Sequence, residues 1–107
     1  MALQVHQVAL QVVTDLAPLM PRIARQDRNL AQQLRRAATS IVLNIAEGEH
    51  SDAGNRRARF HSAAGSASET RSAIRVAVAW RYLSGEQAES SLDGLDRVVA
   101  MLWRLTH

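Results

Sequence analysis

An all-α fold, an antiparallel up-and-down four-helix bundle, follows from three features of the sequence. Apolar residues recur every three or four positions through nearly the whole chain. No window alternates with a period of two over a useful length, which argues against a sheet. Prolines and glycines cluster at a few points and cut the chain into four segments joined by short turns. The 107 residues suit one domain spanning 1–107, large enough for a core and too small for two. Aromatic residues make up only 4% of the chain, so the core must come from Ala, Leu, Val and Ile.

The first segment, from about Ala2 to Ala17, presents Val5, Ala9, Val12 and Leu16 at helical spacing. It is expected to stop at Pro18 and Pro21, because proline removes a backbone donor and disfavours helix in the residue before it. The second begins near Asp27, a good N-cap, and carries Leu30, Leu34, Ala37, Ile41 and Ile45 up to Gly48, the expected C-cap. The third starts near Ser51 or Asp52 and continues to about Leu83, with Phe60, Ala63, Ala67, Ile74 and Val78 as its core stripe. The fourth opens with Ser84-Gly-Glu-Gln87, which has capping-box spacing, and carries Ala88, Leu92, Leu95, Val99 and Leu102. Its opposite side holds Glu86, Glu89, Asp93, Arg97 and Arg104 and should face water.

Composition narrows the function. With no cysteine there is no disulfide scaffold, thiolate metal site or cysteine nucleophile, which fits a cytoplasmic protein. The N-terminal stretch is interrupted by His6, Gln7 and Gln11 and reads as an amphipathic helix; no run is apolar enough to span a membrane. All 13 basic residues are arginines, and the net charge is +3. Residues 22–81 hold eleven of these arginines against five acidic residues, so the middle of the chain is its electropositive part. A polyanion is the partner class such asymmetry suggests; a solvated surface is the plain alternative.

The third helix is apolar on two sides. Ala58, Ser62, Gly65, Ala73, Val76 and Trp80 fall nearly opposite its core stripe, and Val42 and Leu43 lie off the main stripe of the second helix. One bundle does not easily bury all of these, so Val42, Leu43, Gly65, Val76 and Trp80 are expected at contacts between copies in a homo-oligomer. Gly65 costs about 1 kcal/mol relative to Ala in a helix interior, a cost that a close helix approach would offset.

Two polar constellations remain. Arg36, Ser40, Asn44 and Glu47 form a stripe on the second helix, with Ser66 and Glu69 as candidate partners on the third; an interhelical network that sets register is the expected role. Arg57, His61, Ser68, Arg71 and Arg75 share a ridge on the third helix, with Arg56 and Arg59 nearby. Guanidinium forks suit phosphate oxygens, so this ridge, with Arg35 and Arg36, is the candidate RNA or DNA surface. Interleaved aromatics for base stacking are scarce there: Phe60 reads as core, and Trp80, Tyr82 and Trp103 lie far along the chain.

No catalytic constellation is present. Ser and Thr occur without a nucleophile elbow or phosphate loop, so no enzyme activity is expected. Glu47-Gly-Glu-His50 supplies one Glu-x-x-His pair, whereas bundle metal sites need two such pairs and further carboxylates; no metal or cofactor is expected.

The run Gln33-Leu-Arg-Arg-Ala-Ala-Thr-Ser-Ile41 followed by Asn44-Ile-Ala-Glu-Gly48 resembles the signature of bacterial four-helix-bundle proteins encoded in intervening sequences of 23S ribosomal RNA genes. Phe60 and Ala64-Gly-Ser-Ala-Ser-Glu69 are similar to that family's second signature, and Tyr82-Leu83 to a pair before its last turn. The resemblance implies a homopentamer of bundles. Through a related branch, the accessory variability proteins of diversity-generating retroelements, it also implies nucleic acid and a reverse transcriptase as partners. Arg35, Arg36, Ser40, Asn44, Glu47, Gly48, Gly65, Ser66 and Glu69 fall on matching positions, none of them catalytic. The chain departs from the family in having Glu49, His50 and Ser51, rather than an Arg, shortly after the Glu-Gly. The competing reading is a purely structural self-assembling scaffold without nucleic-acid affinity.

Overall fold

The computed structural model describes residues 4–107 and contains only helices among them. These are α1 (Gln4–Leu16), α2 (Met20–Gln26), α3 (Arg28–Glu49), α4 (Ala53–Ala79) and α5 (Gly85–Thr106), with a 3₁₀ turn at Ala17–Leu19. The start of the first helix expected near Ala2 lies outside the described residues. Together α1 and α2 form one arm of a four-helix bundle. Going round it, this arm touches α3 and α5, and α4 touches the same two. The longest helix, α4, has 27 residues, about 40 Å at 1.5 Å per residue, which matches the longest dimension of 42 Å.

The first α-helix ends at Leu16, just before the prolines, as expected, but the chain then continues through a 3₁₀ turn into a short second helix that the sequence did not announce. Pro18 and Pro21 each sit at the first or second position of a helical piece, where the missing N–H has no intrahelical partner to lose. Leu16, Leu19 and Met20 keep helical dihedrals, so the chain tightens for one turn and continues. This brings Met20 and Ile23 into the core, at about 1.5–3 kcal/mol of stabilisation for each large side chain buried.

Capping sets the other starts. Asp27 accepts from the Leu30 amide at 2.9 Å, Asp52 from Asn55 at 3.0 Å, and Ser84 with Gln87 closes a reciprocal capping box at 2.9 and 3.0 Å. The expected stripes form the core: Leu34, Ile41 and Ile45 on α3, Phe60, Ala67 and Ile74 on α4, and Leu95 and Leu102 on α5 are buried. Leu30, Val78, Leu92 and Val99 pack at its margin.

Three boundaries or contacts differ from expectation. Gly48 is not a C-cap; α3 runs through it to Glu49, and His50 caps the end. A Cβ at Gly48 would come within 2.5 Å of Phe60 Cε1, so this glycine allows α3 to close on the largest buried side chain. Gly94 does the same on α5, where a Cβ would lie 2.8 Å from Val12 Cγ2 on α1. The third long helix ends at Ala79, not near Leu83. Arg81 adopts φ 68°, its N–H donates to the Val78 carbonyl at 2.9 Å, and the Tyr82 N–H donates to Ala77 at 2.8 Å. This is a Schellman ending with arginine where glycine is usual.

Gly65, by contrast, is exposed, with nothing within 4 Å of an added Cβ, so the close approach expected there does not occur inside the bundle. Ala73 is buried and Val42 packs against the core, so both belong to the chain's own interior rather than to an outer face.

In urea unfolding, Gly48→Ala should destabilise by about 1–3 kcal/mol, because Phe60 has nowhere to go. Arg81→Gly should stabilise by about 0.5–1 kcal/mol by removing the left-handed penalty of a side-chain-bearing residue. An unchanged midpoint for Gly48→Ala would contradict the tight fit.

Candidate nucleic-acid interface

Six of the seven arginines singled out from the sequence are distributed over three seams between helices. Arg35, on α3, lines a hollow of about 380 Å³ against α2, with Met20, Pro21, Ala24, Arg28, Ala31 and Gln32. Arg36 and Arg59 line the two ends of the α3/α4 groove, a space of about 440 Å³ shared with Thr39, Ser40, Leu43, Asn44 and Glu47. Arg71 faces α5, held by the 2.6 Å ion pair of its Nη1 with Asp96 Oδ1, and Arg57 and Arg75 share its ridge on α4 by helical spacing. Arg56 departs from the ridge: it is half-buried, with its guanidinium 5.2 Å from the centre of the Phe60 ring.

Arg71 therefore differs from its neighbours. Its charge is already engaged by a carboxylate, and a phosphate would have to compete with Asp96. The pair itself adds little to stability, because both side chains retain substantial solvent contact. It is the one ion pair of an arginine among the described residues, and eleven of the thirteen arginines are exposed.

The expected polar network forms in part. Ser40 Oγ and Ser66 Oγ lie 2.9 Å apart across α3 and α4, and the Asn44 side-chain amide donates to the Ser40 carbonyl at 2.9 Å and its hydroxyl at 3.0 Å. Thr70, not foreseen, joins from within α4 by donating to the Ser66 carbonyl at 2.7 Å. A threonine four residues past a serine is the sequence sign of such back-bonding. Arg36, Glu47 and Glu69 do not join: their charged groups are exposed and take no ion pair among the described residues. Each lies on the same face but one or two helical turns along the axis from the serine contact, so these charges line the groove beyond it instead of bridging it.

The apolar residues expected at subunit contacts divide in the same way. Leu43 is 59% exposed, Val76 42% and Trp80 67%, all directed away from the core. At the opposite end of the bundle from Trp80, Trp103 is 60% exposed and lies flat against His107, with ring centroids 4.3 Å apart. His107 meets the edge of His61 on α4, which places Trp103 beside the arginine ridge although it is far from it in sequence. The sequence reading missed this proximity because an antiparallel partner helix brings residue 103 back to the start of α4.

Asp27 and Tyr82 close the far end of the bundle. The Tyr82 hydroxyl approaches Asp27 Oδ2 at 3.4 Å; partial burial, and then the negative charge of Asp27, raises the phenol above its ordinary value. No three His, Asp or Glu residues converge on a metal-sized site among the described residues, and no described helix is long and apolar enough to cross a membrane.

The fold agrees with what similarity to known proteins shows. A structure described as a protein of unknown function from the S23 ribosomal protein family of Bacteroides thetaiotaomicron VPI-5482 superposes with a TM-score of 0.88, covering 95% of this chain and 97% of that one. At 21% identity, that likeness establishes the fold. No curated protein matches the chain. The sequence pattern of the 23S rRNA-intervening sequence proteins matches residues 1–104, with the Gly48–Phe60 and Ser40–Ser66 contacts inside it. The chain belongs to the 23S rRNA-intervening sequence protein family.

Proposed function

We propose that this protein is a non-enzymatic, self-assembling helical bundle that holds RNA or DNA through phosphate contacts of its arginines in the cytoplasm. The observation that carries the proposal is the state of those arginines: eleven are exposed, and only Arg71 is neutralised by an ion pair among the described residues. Unpaired guanidiniums along a helix seam are suited to a polyanion backbone, and their effect is independent of base sequence.

Self-assembly is supported by Leu43, Val76 and Trp80, large apolar side chains directed outward on α3 and α4. Gly65, Ala58 and Ser62 share that side of α4 and leave it shallow enough for a helix of a second copy to approach closely. Five copies in a ring, and a reverse transcriptase as a further partner, are the finer form of the proposal. They rest on the likeness of the Gln33–Ile41 and Ala64–Glu69 motifs to the signatures of the 23S rRNA-intervening sequence proteins and, for the reverse transcriptase, on the related branch of accessory variability proteins of retroelements.

Native mass measurement tests the assembly. Wild-type protein should appear at a multiple of 11.8 kDa, five-fold for the ring, and a stable 11.8 kDa monomer at micromolar concentration would refute it. Gly65→Leu is the sensitive variant: a leucine there meets open space within the chain, so lost assembly with unchanged helicity reports a contact between copies.

Binding is tested by titration with RNA at several salt concentrations, where affinity should fall by about 0.7–0.9 log units per log unit of salt for each phosphate engaged. Arg57→Glu with Arg75→Glu should weaken it at least about tenfold. Asp96→Asn should strengthen it and steepen the salt slope by about one phosphate contact, since it releases Arg71. Retained assembly without measurable RNA affinity would leave the scaffold reading in its place.

A further inference from the structure

We infer that the α4/α5 seam takes single-stranded rather than duplex nucleic acid, with one base stacking on Trp103. The inference rests on the phosphate-binding reading above and specifies which form of nucleic acid the seam fits.

Trp103 is placed as a platform. The core-facing positions at the end of α5 are Leu102 and Thr106, both buried, so the indole contributes nothing to the interior. It is nevertheless held. The His107 ring lies 4.3 Å from it with 9° between planes, and His107 Nδ1 sits 3.0 Å from the Trp103 carbonyl oxygen and 3.1 Å from Thr106 Oγ1. His61, from α4, buttresses His107 edge-on at 6.2 Å. One face of the indole is thus occupied by a ring that is itself fixed, while the side chain stays 60% exposed and the second face is open. An aromatic ring immobilised on one face and bare on the other has already lost the rotamer freedom that stacking would otherwise cost.

The charges suit the same ligand. Arg57 lies one turn from His61 on the same ridge, and Arg75 one turn beyond Arg71; Arg57 and Arg75 are exposed. Between the His61–His107 contact and the Arg71–Asp96 pair runs about 15 Å of seam, where the exposed residues include the small Ser68 and Ala100. An extended strand following this track would meet guanidiniums at both ends and an open ring beside the first. Inside a duplex each base face is already stacked on its neighbour, so only an unpaired strand can lay a base from within its length on that ring. The other exposed indole, Trp80, stands at the opposite end of α4 with no ring stacked on it among the described residues, and has neither the support nor the seam.

The test uses the full chain with Trp80→Phe, which leaves Trp103 as the sole indole. It is titrated with oligouridine of about 12 nucleotides and with an RNA duplex of the same length. The single strand should quench the indole emission and the duplex should not. Trp103→Ala should weaken single-strand binding roughly 5- to 100-fold while duplex binding stays within about twofold, and Trp103→Phe should restore most of the loss. Far-UV circular dichroism should be unchanged, since the side chain lies outside the core. If Trp103→Ala affects both forms equally or neither, while Arg57→Glu with Arg75→Glu weakens both, the stacking site is wrong and the phosphate reading survives. Wild-type protein with no affinity for either form would overturn both.

Discussion

The contact between Gly48 and Phe60 governs the rest of the molecule. Phe60 is the only phenylalanine and is fully buried, and its ring occupies the space that a side chain at residue 48 would need. Bulk on one helix is thus matched by its absence on the other. Ala63, Ala67, Ala73 and Ala77 extend the arrangement along α4, where short side chains permit close packing over the length of the longest helix. Only at such separation do two serine hydroxyls on facing helices come within 2.9 Å of each other, so the Ser40–Ser66 contact depends on the glycine. The core and the polar seam are therefore two results of one spacing.

Seen this way, the two family motifs contain residues of different kinds. Gly48, Phe60, Ser40, Asn44 and Ser66 are accounted for by the packing of α3 on α4 within a single chain. Arg36, Glu47 and Glu69 are not: they stand exposed at the rim of the same groove without an ion pair among the described residues. Side chains that a lone bundle does not use are the natural candidates for contact with whatever lies outside it.

Much of this was legible in the sequence because helical periodicity reports directly on burial. Leu34, Ile41 and Ile45, or Leu95 and Leu102, have no other reason for their spacing, and Asp27, Asp52 and Ser84 announce helix starts through local chemistry alone. What was not legible depends on neighbours distant in sequence. A glycine near a helix end reads as a cap until the ring that fills its place is known, which is the case of Gly48. Pro18 and Pro21 mark the end of α1 at Leu16, but their spacing does not reveal that a tightened turn carries the chain on into a further helix, α2. On the surface the ambiguity is greater. Arg57 and Arg71 look alike on a helical wheel, and only the position of Asp96, 25 residues away, separates a free guanidinium from an engaged one.

The jointed first arm has a consequence for how rigidity is distributed. Pieces of 13 and 7 residues fall at or below the length at which an isolated helix holds together in water, roughly 12–15 residues, so α2 owes its existence to its seat on α3. With Met20 and Ile23 as its buried side chains, this segment is the part of the bundle whose helicity depends most on tertiary packing rather than on its own length.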